Sequence, residues 1–448
     1  MALIAGTVIQ FTDGTTGIVR SMIGEGGQGE VYKIDYKGET KVLKWLKKHP
    51  GPEVAKSIQA NIARKAILPA YFLLPIALCD NKLGFGYVMD LVDTDTYKEL
   101  KKFIFRAETC YFENYNATIN ACLNLCLAFK KLHAHGLAYF DMNDGNFFFN
   151  PQTGDILIID TDNIAPAGSI VTSVQGTMGY MAPELVSFKI PEGVSGSEVE
   201  KYIPRPNRYT DYCSLAYVLF RIIFIDDPLL GECHLDRFPC MTPKAHRYIY
   251  GEKPIFIYDP SNSDNRPIEE ISPTVVARWN RDVPSYVKDA FVKAFSYENL
   301  HNPNSRLMES EWTKIFTKWR SLTCRCPKCG KETHFEYKNE EQCDKCKGRV
   351  SIGWMKIADD NVVIPLVKGV KLYESQIGIE DGYFKEIAKI GRNSNNAMAI
   401  KNTSSFDWLV RSSSGSSQQI VKPGEHMEIY DKMIIRFSNF KEAKIRLK

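Results

Sequence analysis

The sequence lacks a long apolar run. No stretch of its 448 residues approaches the roughly 20 apolar residues of a membrane-spanning helix, so no membrane association is expected. The opening Met1-Ala2-Leu3-Ile4-Ala5-Gly6 lacks the basic flank of a secretory leader, and none is expected. Net charge is also small. The 57 Lys and Arg nearly balance 53 Asp and Glu, leaving +4, so bulk electrostatics gives no reason to expect nucleic acid or any other charged partner. A secreted disulfide framework is missing too. Five of the 12 cysteines fall between 324 and 346 and the others are scattered, a distribution expected of reduced thiols in the cytoplasm. There is no internal repeat, and the one biased stretch is a short Ser/Gly loop, Ser412 to Ser417. An apolar content of 44% is ordinary and supplies a sizeable core, and the length predicts two to four domains.

The most informative stretch is Gly136 to Asn163. Asp141 is followed five residues later by Asn146, then by a turn, Asn150 to Gly154, and the apolar run Ile156 to Ile159, which ends on Asp160. Such a run predicts a buried strand that delivers a carboxylate at its end. Phosphoryl transfer needs this set: one Asp to position the attacking hydroxyl, and an Asn and a second Asp to hold divalent metals against the phosphates. A plain hairpin with polar turn formers fits the local pattern equally well.

Residues 7–46 alternate in the manner of strands. Val19 to Ile23 leads into Gly24-Glu25-Gly26-Gly27-Gln28-Gly29-Glu30-Val31-Tyr32. A glycine loop of this spacing also opens dinucleotide folds, where a helix follows it. Here a strand follows instead, and strand–glycine loop–strand resembles the arrangement of protein kinases, which implies a flap whose backbone amides cover phosphates. The next strand carries Lys44, fifteen residues after Gly29, with Lys41 as a competing candidate for the phosphate-binding cation. Pro52 to Ala66 predicts a helix, with Val54, Ile58 and Ile62 at spacing four. Gly84 to Val92 reads as a buried strand. Asn120 to His133 predicts an amphipathic helix with Cys122, Leu123, Cys126 and Phe129 on one stripe; His133 and His135 read as packing and helix-end residues rather than metal ligands.

In this order the landmarks resemble eukaryotic-type Ser/Thr protein kinases. The H-R-D-x-x-x-x-N pattern appears as Tyr139-Phe140-Asp141-Met142-Asn143-Asp144-Gly145-Asn146, and the D-F-G position as Asp160-Thr161-Asp162. Gly176-Thr177-Met178-Gly179-Tyr180-Met181-Ala182-Pro183-Glu184 resembles the close of an activation segment, and Asp211 to Ala216 the start of the central helix. Asn302 to Arg306 resembles the late turn whose arginine pairs with the A-P-E glutamate, here Glu184. The resemblance implies an α+β fold with a bilobal kinase-like domain over 1–320, its N-lobe at about 1–90 and its C-lobe at about 91–320, and an insertion at 225–280. It implies ATP bound by Gly24, Glu25, Gly26, Gly27, Gln28, Gly29, Val31, Lys44, Met89, Asp90 and Leu91, with Met89 as gatekeeper and Asp90 to Val92 offering backbone groups to adenine. It also implies Mg2+ on Asn146 and Asp160, and Asp141 orienting the hydroxyl of a protein substrate, the chain itself included.

Four departures stand against the pattern. No Glu occurs between Val54 and Asp80 to pair with Lys44; by spacing that position falls near Asn61, with Glu53 as an early alternative. Phe140 replaces an arginine that answers activation-loop phosphate, so phosphorylation at Thr172, Ser173 or Thr177 is not expected to be required. Asn143 replaces a lysine, and Asp162 a glycine, the latter a reserve metal ligand behind Asp160. A pseudokinase scaffold that recruits partners through the C-terminal segments therefore remains the alternative to an active enzyme.

Cys326-Pro327-Lys328-Cys329 and Cys343-Asp344-Lys345-Cys346 are two C-x-x-C knuckles separated by 13 residues. Four thiolates so spaced predict a closed, structural Zn2+ ribbon over 321–355, with Cys324 spare, His334 a weak substitute ligand, and the glycine after each knuckle easing its turn. From 356 to 448, short strands separated by Gly, Asn, Ser and Asp predict an all-β sandwich. Lys371 to Glu374, Gly391-Arg392, Lys401 to Ser404 and Trp408 resemble a diverged forkhead-associated domain that lacks the Ser-x-x-His. Arg392 or Arg411 is a candidate for an acidic or phosphorylated partner. The order of the three segments resembles bacterial kinases of tellurite-resistance-type loci. That implies bacterial signalling with a metal-dependent Ser/Thr phosphatase and a von Willebrand factor A protein as partners.

Overall fold

The strand alternation of the first 90 residues builds one antiparallel sheet. Its strands are β1 (Val8–Gln10), β2 (Thr16–Glu25), β3 (Gly29–Tyr36), β4 (Glu39–Leu46), β5 (Ala77–Asn81) and β6 (Gly84–Met89), in the order β1-β2-β3-β4-β6-β5. This is a computed structural model, which describes residues 2–27, 29–105, 112–169, 176–235, 237–336, 342–358, 362–413 and 418–448. Gln28, Thr172, Ser173 and part of the Ser412–Ser417 loop lie outside the described residues.

Both faces of the sheet are covered. Ile9, Val19, Ile34, Leu43 and Val88 form one buried cluster, and Val42, Leu78, Phe85, Tyr87 and Met89 form another with Ile58 of the helix α1 (Pro52–Arg64). Proline at the first turn of α1 costs no hydrogen bond, because that amide has no partner in any helix. Two glycines in the sheet are fixed by close approach: a Cβ on Gly29 would lie 2.4 Å from the Trp45 carbonyl oxygen, and one on Gly86 2.6 Å from that of Lys44.

The described residues fall into two compact units. The first comprises Met1–Glu113, Asn120–Arg281 and Ala290–Glu311; the second comprises Asn114–Ile119, Asp282–Asp289 and Trp312–Lys448. Below its sheet, the first unit is mainly helical. The helix Arg208–Phe224 is apolar on nearly every side and is buried along almost its whole length. Asn207 caps it, its side chain accepting from the Tyr209 amide while the Thr210 hydroxyl accepts from the Asn207 amide. Two short antiparallel pairs carry the central stretch: Phe147–Phe149 with Ile156–Ile158, and Leu137–Tyr139 with Ile164–Pro166.

The second unit is β-rich. One six-stranded antiparallel sheet joins Gly353–Ile357, Val363–Pro365, Trp408–Ser412, Gln418–Val421, Met433–Phe437 and Glu442–Leu447; a four-stranded one joins Lys371–Tyr373, Glu386–Arg392, Met398–Asn402 and His426–Glu428. Residues of both sheets, among them Leu372, Ile387, Trp408 and Ile445, share one buried cluster with Cys326, Phe335 and Cys343. The end of the helix Glu309–Leu322 ties into the same unit. Ser321 Oγ accepts from Gln376 Nε2 at 2.6 Å, and the Arg320 guanidinium donates to the Tyr383 carbonyl and lies 3.9 Å from the Tyr373 ring centre. Among the described residues, no helix is long and apolar enough to cross a membrane.

Candidate active site

The alternation of β4 puts Val42 and Lys44 on one face and Lys41 on the other. Lys41 pairs with Glu39 of its own strand and with Asp90, the residue after β6. Lys44 is buried beside the Tyr87 ring, and its ammonium lies 2.8 Å from Asp160 Oδ1 and 3.2 Å from Asp162 Oδ2. Burial pushes the Lys44 ammonium down, but the Asp162 and Asp160 carboxylates outweigh it and hold the group above its ordinary value. Of the two competing lysines, Lys44 is thus the one at the acidic centre.

Asp160 stands two residues beyond the strand Ile156–Ile158 rather than at its end. Its backbone is left-handed, φ 53° and ψ 41°, a conformation that Asp tolerates better than most residues. The turn it begins, Thr161–Asn163, brings Asp162 back onto the same lysine. The Thr161 hydroxyl donates to the Leu73 carbonyl at 2.9 Å, and its own carbonyl accepts from Asn61 Nδ2 at 2.8 Å. Asn61 therefore does not touch Lys44. It is fully buried, and its Oδ1 accepts from Arg64. Glu53 pairs with Lys56 on the exposed face of α1. Neither of the two residues considered for the helix carboxylate takes that role. Sequence reasoning missed Asp162 as the lysine's partner; the signal was the coincidence of a missing helix Glu with an extra Asp two residues after Asp160.

Asp141 and Asn146 meet in one loop. Asn146 Nδ2 donates to the Asp141 carbonyl at 2.9 Å, and the Asn146 carbonyl accepts from the Ile159 amide, which ties the loop to the Asp160 segment. The Thr177 hydroxyl donates to Asp141 Oδ1 at 2.8 Å. Asn143 turns inward, donating to the Asp141 carbonyl and accepting from the Gly145 amide, so it stabilises its own loop. Phe140 is buried in an apolar cluster with Ala138 and Ile203. Beneath the loop, Asp211 accepts from the Tyr139 amide and from His133 Nε2, both at 2.9 Å, while His133 Nδ1 faces Glu309. Arg306 and Glu184 form a two-point ion pair at 2.8 and 2.7 Å, the partnership expected from the sequence.

A cavity of about 480 Å³ opens between sheet and loop, within the size range of about 300–1,000 Å³ typical of small-molecule sites. Gly26, Gly27, Gly29 and Val31 line its upper side, Phe148 and Ile159 its lower side, and Met89, Asp90 and Leu91 its inner edge; Lys44 and Asp160 stand at one end. Gly24 and Glu25 end β2, paired with Val31 and Glu30. The site thus offers apolar walls for a planar base, a buried cation for phosphates, and an Asn and an Asp suited to a divalent metal.

The four knuckle cysteines form a second centre. The sulfurs of Cys326, Cys329, Cys343 and Cys346 lie within 4.8 Å of one another, and the Cys326–Cys346 and Cys329–Cys343 separations are 3.7 Å. A tetrahedral ion about 2.3 Å from each thiolate puts its sulfurs about 3.8 Å apart, so the donor set fits zinc. The two knuckles repeat one backbone pattern: the Gly330 amide donates to the Cys326 carbonyl, and the Lys347 amide to the Cys343 carbonyl. The left-handed residues are Gly330 and Lys347. Gly348 serves differently from the expected turn glycine: a Cβ there would lie 2.8 Å from the Lys328 side chain. Cys324 and His334 stand outside the cluster. His334 packs edge-on against Trp319 and Tyr115.

Residues 18–229 match the family model described as the protein kinase domain. No curated protein matches the chain. The chain thus carries an N-terminal protein kinase domain, which implies ATP and Mg2+ as its cofactors and protein as its substrate class.

Proposed function

We propose that the chain is an active, Mg-ATP-dependent Ser/Thr protein kinase. The observation that carries this reading is that Lys44 and Asp160, paired at 2.8 Å, line a base-sized cavity together with the glycine loop, while the loop that joins Asn146 to Asp141 is tied to Ile159, next to Asp160. In this reading Gly24, Glu25, Gly26, Gly27, Gln28 and Gly29 cover the phosphates, Val31, Met89, Asp90 and Leu91 hold the base, and Lys44 meets the α- and β-phosphates. Asn146 and Asp160 hold magnesium, which when bound neutralises the phosphate charge. Asp141 orients the substrate hydroxyl. The Thr177–Asp141 hydrogen bond supports serine and threonine over tyrosine, because Ser/Thr kinases keep a threonine beside the catalytic Asp at the position Thr177 resembles.

The cysteine cluster acts as a structural zinc ribbon. With four protein thiolates it leaves no position for water, so it contributes stability rather than chemistry. The two-sheet region serves as a forkhead-associated-like recognition domain, with Arg392 exposed at the end of its strand. The order of segments supports a place in bacterial signalling in the cytoplasm, opposite a metal-dependent Ser/Thr phosphatase and beside a von Willebrand factor A protein.

The test is transfer of labelled γ-phosphate from Mg-ATP to the chain itself and to a generic protein, for wild type, Asp141→Ala and Asp160→Ala. Incorporation on serine or threonine that both substitutions abolish is the expected result. Nucleotide binding without any transfer by wild type would replace this reading with the pseudokinase scaffold.

A further inference from the structure

The site contains one carboxylate more than the proposed chemistry uses. Lys44 has three N–H donors. It donates to Asp160 at 2.8 Å and to both oxygens of Asp162 at 3.2 and 3.3 Å. The two acids face different spaces. Asp160 lines the nucleotide-sized cavity, and its side chain is 33% exposed; Asp162 is 14% exposed and lines a second cavity of about 950 Å³ on the α1 side, together with Val54, Ser57 and Ala60 of that helix. The lysine therefore has one partner on the nucleotide side and one behind it.

The backbone fixes this arrangement. Thr161, between the two acids, is buried and held at both its hydroxyl and its carbonyl. The carbonyl clamp is Asn61 of α1, which stands where a helix carboxylate would be expected. The helix thus acts on Lys44 at second hand, holding the turn that supplies the acid.

We propose that Asp162 is a positioning residue: it holds the Lys44 ammonium from behind, in place of a helix glutamate, and leaves Asp160 free for the metal. The proposal rests on the kinase reading above. A buried ammonium that loses its only carboxylate neighbour is strongly disfavoured. With Asp160 engaged by a metal, Asp162 would still pair with the Lys44 ammonium.

The experiment separates the two acids. Mn2+ affinity is measured with ADP bound for wild type, Asp160→Asn and Asp162→Asn. Both kcat and ADP affinity are then followed through a double-mutant cycle of Asp162→Asn with Lys44→Met. The expected result is that Asp160→Asn alone weakens Mn2+ binding. Asp162→Asn should lower kcat by about tenfold or more in the Lys44 background and have almost no further effect beside Lys44→Met, the non-additivity of a residue acting through its neighbour. Asp162→Glu keeps the charge and should restore most of kcat; it also serves as the soluble variant if the amide does not fold. Loss of Mn2+ affinity in Asp162→Asn equal to that in Asp160→Asn would make Asp162 a metal ligand and overturn the proposal. So would additive effects in the cycle. A wild type that binds ADP and Mn2+ but transfers nothing would defeat the kinase reading alone, since the cycle on ADP affinity still reports the pair.

Discussion

His133 is a buried titratable group of the first unit held between two acids. Its two ring nitrogens face Asp211 and Glu309, and all three side chains are at least 93% buried. Burial alone would push the imidazole down. The two carboxylates outweigh it and bring its pKa up to about 9, from an ordinary 6.5. A displacement of that size corresponds to roughly 3 kcal/mol. Asp211 moves against this: burial raises its carboxyl even as His133 pulls it down, so the net stabilisation from the triad is smaller. The sign follows from the raised folded-state value. The contribution is complete below about pH 6.5 and is lost as pH rises through about 9. His133→Gln should therefore cost less than about 3 kcal/mol near pH 6.5 and progressively less toward pH 10, where the wild type also holds two buried carboxylates without a cation. Urea denaturation of both proteins across that range measures the difference. A gap that stays constant from pH 6.5 to 10 would refute the charged imidazole.

Two further outcomes follow from buried groups. Arg306 is 2% exposed and donates to Glu184 and to the carbonyls of Asn299, Leu300 and Tyr209, so Arg306→Met should cost about 3–5 kcal/mol; Glu184, 35% exposed, should cost only about 1 kcal/mol as Glu184→Gln. Equal losses by urea denaturation would show that the carboxylate, not the carbonyl set, carries the site. The four-cysteine centre should yield one zinc per chain by elemental analysis. Its removal by a chelator should lower the melting temperature of the second unit and shift tryptophan emission, because Cys326 and Cys343 share a buried cluster with Trp354 and Trp408. A metal-free protein of unchanged stability would contradict that role.

Local patterns were legible in the sequence, and partners across the fold were not. The choice of Lys44 over Lys41 follows from strand period two, since only Lys44 shares a face with Val42 of the cavity wall. The cysteine spacing pointed to one four-thiol cluster within a short segment, and the four sulfurs do lie together. By contrast, Asn61 finds its acceptor at Thr161, 100 residues away, and the His133 triad joins three separate helices. Periodicity marks such residues as inward-facing but cannot name what they meet. The left-handed Lys347 was equally hidden, because glycine at 348 looked like the turn residue.

The same distinction explains how the site accommodates its departures. Each position where a charged residue was expected is occupied by an uncharged one that is packed or hydrogen-bonded, within its own loop or across the fold. Phe140 is buried among apolar neighbours, Asn143 bonds within its own loop, and Asn61 clamps a backbone carbonyl. None of these substitutions leaves a buried charge unpaired, which would cost several kcal/mol. The one charge that must remain, Lys44, gains its second acid from a turn three residues long rather than from a helix that would have to swing into place. Both acids that hold Lys44 therefore come from one short segment, Asp160 to Asp162, and none from α1. The turn is clamped from α1 by hydrogen bonds to backbone carbonyls, Asn61 donating to Thr161 at 2.8 Å and Arg64 to Ile164 at 3.1 Å, rather than by an ion pair to Lys44.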